Sequence, residues 1–62
     1  MKKYDEIVVT DQDDMFYGYE GVINRKGKHL IEVQLEGVPE IQKYLATEIM
    51  LKEAVKLNEY RG

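Results

Sequence analysis

The stretch Y19-E-G-V-I-N-R-K-G-K-H-L-I-E-V-Q-L35 carries the clearest structural statement in the chain. Two runs, 19–25 and 29–35, are rich in residues that favour extended backbone, and K26-G-K28 lies between them. In the second run Ile31, Val33 and Leu35 fall on one side, and Glu32 and Gln34 on the other. A period of two with one apolar face is the pattern of a strand in a sheet wet on one side. The segment therefore predicts a β-hairpin with its tight turn at 26–28, where Gly27 is expected to supply a positive φ.

Working outward, D5-E-I-V-V-T10 is a β-branched run that places Ile7 and Val9 on a common face, the pattern of a first strand. D11-Q-D-D-M-F-Y-G18 interrupts it with acids and a glycine, which reads as a loop. E36-G-V-P-E40 is a turn whose proline cannot hold a central ladder position. I41-Q-K-Y-L-A-T47 predicts a fourth strand, with Tyr44 and Leu45 as core candidates and Ile41, Lys43 and Leu45 sharing a face. In the tail, Thr47 could cap a helix carrying Met50, Ala54 and Leu57 on one stripe. The alternation of Leu51, Glu53, Val55 and Leu57 equally fits a strand preceded by a helical turn at 47–50. A fifth strand would cover an open edge, so the second arrangement is preferred. The expected fold is mostly β, a small five-stranded SH3-like barrel with a short helical turn before the last strand. Four strands plus a C-terminal helix is the alternative.

Sixty-two residues make one domain, spanning 1–62. No cysteine is present, which removes disulfides and thiolate chemistry and favours a cytoplasmic setting. M1-K-K-Y-D-E-I-V-V9 turns acidic at once, so no signal peptide is expected, and no apolar run approaches the roughly 20 residues of a membrane span. The net charge of −3 is unevenly spread. Residues 1–20 set Lys2 and Lys3 against Asp5, Glu6, Asp11, Asp13, Asp14 and Glu20, whereas 21–31 hold Arg25, Lys26 and Lys28 with no acid. Net positive charge is thus confined to one turn, unlike the broad basic surface of a phosphate-binding chain.

Constellations for chemistry are sparse. His29 is the only histidine, and a general base or metal site needs partners. The D11-Q-D-D14 run lacks the oxygen at 15 and glycine at 16 that a calcium loop would need; Met15 and Phe16 stand there. A solvated loop shaped by an Asx-turn at Asp11 or Asp13 is the preferred reading. There is no serine and no glycine-rich phosphate loop, and Thr10 and Thr47 have no base nearby in sequence. No catalytic residue, metal or cofactor is assigned, and an enzyme is not expected.

Five tyrosines and one phenylalanine make the aromatic set conspicuous. Packing is the first reading of Phe16, Tyr17 and Tyr19, with one face buried and the other exposed. An exposed aromatic face beside Arg25, Lys26, Lys28 and His29 is the second reading, a protein-docking surface over 11–29. Base stacking on nucleic acid comes third, and the excess of acid over base counts against it.

Y17-G-Y-E-G-V-I-N-R-K-G-K-H-L-I-E-V-Q-L-E-G37 resembles the KOW-type pattern of small SH3-like barrels, with Gly21, Val22 and Ile23 standing at its glycine and apolar pair. The wider V8-V-T-D-Q-D-D-M-F-Y-G-Y-E-G-V-I-N-R25 is similar to subunit S of the photosynthetic NAD(P)H dehydrogenase-like complex of cyanobacteria and plastids. L45-A-T-E-I-M-L51 resembles the helical turn before the last strand in such barrels. The resemblance implies a non-enzymatic accessory subunit, docked on a larger complex at the periphery of a membrane or on an acidic electron carrier such as ferredoxin. A KOW-like nucleic-acid-binding module is the alternative it implies.

Overall fold

The computed structural model describes residues 1–55. Among the described residues five strands form one antiparallel sheet: β1 (Glu6–Val9), β2 (Glu20–Lys26), β3 (Ile31–Leu35), β4 (Gln42–Tyr44) and β5 (Ile49–Leu51), with a 3-10 turn at Ala46–Glu48 before the last. Their order is β4-β3-β2-β1-β5, and the sheet curls into a half-barrel of SH3-like arrangement.

Alternation explains the core. Ile7 and Val9 from β1, Ile23 from β2, Ile31, Val33 and Leu35 from β3, Tyr44 from β4 and Ile49 from β5 form one buried cluster. Each is a large side chain on the inward side of its strand, so curling the sheet removes all eight from water together. Phe16, Val38 and Leu51 pack against its margins.

Gly21 makes the curl possible. It lies opposite Leu35 in the ladder, where a Cβ would strike the Gln34 carbonyl oxygen and come within 2.9 Å of the Leu35 Cα. Only a residue without a side chain lets β2 approach β3 so closely. Two residues further on, the register shifts: Ile23 faces Val33 but Arg25 faces Glu32, so Asn24 is an extra residue on β2. Strict alternation would turn Arg25 inward with Ile23. The bulge instead carries Arg25 to the outer face beside Glu32.

The hairpin is present, but its turn differs from the one expected. The strands end at Lys26 and resume at Ile31, so His29 and Leu30 belong to the connection, closed by the Gly27 N–H donating to the Leu30 carbonyl at 2.9 Å. Gly27 does not have a positive φ; those occur at Gly18, Gly37 and Tyr4. What excludes a side chain at 27 is space, because a Cβ would lie 2.7 Å from the Leu30 carbonyl oxygen.

The C-terminal half also corrects the sequence reading. β4 is shorter than expected, and of its two core candidates Tyr44 is buried while Leu45 is half exposed. The helical turn lies at 46–48, not 47–50, so the last strand is 49–51. Residues 52–55 are helical, which overturns the strand pattern read at Glu53 and Val55; Leu57 lies outside the described residues. Thr47 is inside the turn, not at its cap: the Glu48 carboxylate accepts the Leu45 N–H at 2.7 Å and performs that role. Among the described residues no helix is long and apolar enough to cross a membrane.

Candidate docking groove at the β2–β3 hairpin

The seven residues singled out in the sequence fall into two groups at opposite ends of β2. Phe16, Tyr17 and Tyr19 precede the strand; Arg25, Lys26, Lys28 and His29 end it or follow it. Seven extended residues span about 20 Å, so the two groups do not make one compact site.

The aromatic group is built on a loop held by its own aspartates. Asp11 Oδ1 accepts the Asp13 N–H at 3.0 Å, and Asp14 Oδ2 accepts the Phe16 N–H at 3.1 Å, two Asx-turns in succession. Asp14 Oδ2 also accepts the Tyr44 hydroxyl at 2.7 Å. Burial first, and then this hydrogen bond and the Asp14 charge, push the Tyr44 phenol well above its ordinary range; Glu48 and Asp11 add to the effect. Phe16 is thereby directed toward the core, with its ring centroid 5.3 Å from that of Tyr19 at a tilted angle. Tyr17 and Tyr19 remain exposed. Packing thus accounts for Phe16, and Asp11 and Asp14 have structural partners, whereas Asp13 contributes only its N–H to the first Asx-turn. Among the described residues no three histidine, cysteine, aspartate or glutamate side chains converge as a metal site would require.

At the far end of β2 a shallow groove of about 240 Å³ is lined by Arg25, Gly27, Lys28, His29, Leu30, Glu32 and Lys43. Arg25 Nε and Nη2 lie 3.2 and 3.1 Å from Glu32 Oε2, so one guanidinium charge is matched there. Lys28 and Lys43 make no ion pair among the described residues. Lys43 joins the hairpin bases because β4 pairs with β3, setting it opposite Glu32. The sequence reading passed over both Lys43 and Leu30. The signal for Lys43 was available: its place on the outer side of the fourth strand, continued across the ladder, leads to Glu32. The groove is too small and open to enclose a small molecule. Its chemistry is that of a surface contact, with cations around one exposed aliphatic side chain.

A larger open recess of about 520 Å³ is lined by Tyr4, Asp5, Glu6, Leu51, Lys52 and Glu53. Its cation is already engaged: Lys52 Nζ lies 2.9 Å from Glu20 and 3.5 Å from Glu6. The hydrogen bond and charge of Glu20 lead in raising the Lys52 pKa. The hairpin groove therefore has the stronger claim to a charged partner. No family model, curated protein or solved structure matches the chain.

Proposed function

We propose that this chain is a non-enzymatic interaction module that docks on an acidic protein partner through the β2–β3 hairpin groove. The observation that carries the reading is the convergence of Arg25 from β2, Lys28 and His29 from the connection and Lys43 from β4 around Leu30 in a chain of net charge −3. A local cationic surface on an anionic protein steers encounter with a partner of opposite charge and disfavours others. An acidic electron carrier such as ferredoxin, or an acidic face of a larger complex, is the partner class that the resemblance to subunit S implies, and either has the charge this groove would meet.

The test is binding of the intact chain to immobilised ferredoxin, used as an acidic probe, at low and high salt. Wild type is expected to bind at low salt and to release as salt rises, and the Lys28→Glu/Lys43→Glu variant to bind at least about tenfold more weakly while keeping its circular dichroism spectrum. Equal binding by the variant overturns the reading. Tighter binding to a single-stranded oligonucleotide than to the acidic protein would replace it with a KOW-like nucleic-acid-binding module.

A further inference from the structure

Register across β2, β3 and β4 brings four exposed aliphatic side chains onto one surface. Val22 lies opposite Gln34, and one step from the Val33–Gln42 pair sets Ile41 on the other side of Gln34. One step from the Ile31–Tyr44 pair likewise sets Leu30 beside Leu45. Ile23, Ile31, Val33 and Tyr44 point into the core, so these four residues point away from it. Their exposures are 37% for Val22, 41% for Leu30, 39% for Ile41 and 49% for Leu45. Between the Leu30–Leu45 and Val22–Gln34–Ile41 rows lies Glu32, flanked by Arg25 and Lys43.

We infer that this outer sheet face, continuous with the hairpin groove, is the contact surface, and that it takes an acidic segment carrying aliphatic side chains. The inference rests on the docking function proposed above and specifies its partner. Beside Val22, Glu6 and Glu20 share Lys52; at the hairpin end Glu32 is matched by Arg25, which leaves Lys28 and Lys43 to set the sign there. That sign disfavours a second copy of the chain, because a two-fold contact would set these lysines against each other. It also separates peptide from nucleic acid. Phosphates would satisfy the lysines, but base stacking needs aromatic platforms, and the side chains presented here are aliphatic. An acidic segment with leucine-like residues covers both: carboxylates meet the lysines, and apolar side chains bury Leu30 and Leu45 as anchors inside a polar rim.

The experiment is an amide-shift titration of the whole 15N-labelled chain with two synthetic peptides of equal negative charge. One alternates glutamate with leucine; the other has serine in place of every leucine. The leucine peptide is expected to bind roughly tenfold more tightly and to shift residues 22, 30, 41 and 45 together with 25–28 and 43. The Leu30→Ser/Leu45→Ser variant should bring the two peptides to similar affinity, and Leu30→Ala/Leu45→Ala serves if the serine variant loses its dispersed spectrum. Equal affinities in wild type, with shifts confined to 25–29 and 43, overturn the aliphatic surface but leave hairpin docking intact. Absence of binding by either peptide at low salt overturns both. Shifts centred on 15–19, concentration-dependent shifts without peptide, or tighter binding of a single-stranded oligonucleotide each overturn the inferred occupant.

Discussion

The hydroxyl of Tyr44, on an edge strand, donates to Asp14 Oδ2 at 2.7 Å across thirty positions of sequence. The same oxygen accepts the Phe16 N–H, so one carboxylate ties β4 to the loop that opens β2. Tyr44→Phe keeps the ring in the core and removes only the donor. It is expected to cost about 1 kcal/mol, read as a lower urea midpoint with unchanged slope.

The same pair gives a pH dependence. The phenol is held above its ordinary pKa of about 10 in the folded chain, so the unfolded chain releases that proton first as pH rises. This contribution is fully present below pH ~10 and declines above it. Urea titrations from neutral to alkaline pH should show wild type losing its advantage over Tyr44→Phe above that point. A constant difference between the two would contradict it.

Gly21→Ala puts a methyl group against the Gln34 carbonyl and the Leu35 Cα, both backbone and unable to swing aside. The strands must part or the bend must relax, at about 1–3 kcal/mol. Thermal melts should show a loss of several degrees or more in a domain of this size.

Ile49 and Leu45 flank the 3-10 turn and differ sharply in burial, 1% against 49% exposed. Ile49→Ala should cost about 2–5 kcal/mol, and Leu45→Ala should stay within about 0.5 kcal/mol. Chemical denaturation of both, with an osmolyte to keep the first variant folded at the outset, checks the ordering.

Glu32→Gln removes the acid from the centre of the groove. The Arg25 pair is surface-exposed, so stability should change by less than about 1 kcal/mol. Binding to the acidic probe should instead strengthen, with a steeper salt dependence, because Arg25 is freed. Weaker binding would show that the arginine needs its carboxylate to be presented correctly.

Much of the fold is legible in the residues because two local signals agree. Ile31, Val33 and Leu35 alternate without exception, and Gly21 and Gly27 mark places where chains approach closely. The tail resisted reading because Leu51, Glu53 and Val55 satisfy a strand pattern while the intrinsic preferences of the same segment favour helix. The helical turn expected before a last strand, by contrast, is present at 46–48 and is followed by the strand at 49–51. The candidate site was half legible. Charge clustering pointed to the hairpin, but proximity in sequence joined Tyr17 to Lys28 across a strand that in space holds them apart. Lys43 enters only through the pairing of β4 with β3, a long-range fact that a charge count along the chain does not contain.

The extra residue at Asn24 has a consequence for how such a surface can change. With Asn24 present, Arg25 owes its side of the sheet to the bulge and not to its own identity. Deleting Asn24 would set Arg25 directly after Ile23 and restore one-to-one pairing, so Arg25 would still face Glu32 on the outer side while the local bend of β2 is lost. Loss of that one residue would therefore alter the bend of the hairpin and leave the charged pair on its side of the sheet, so the curl and the outer face respond differently to a change in strand length.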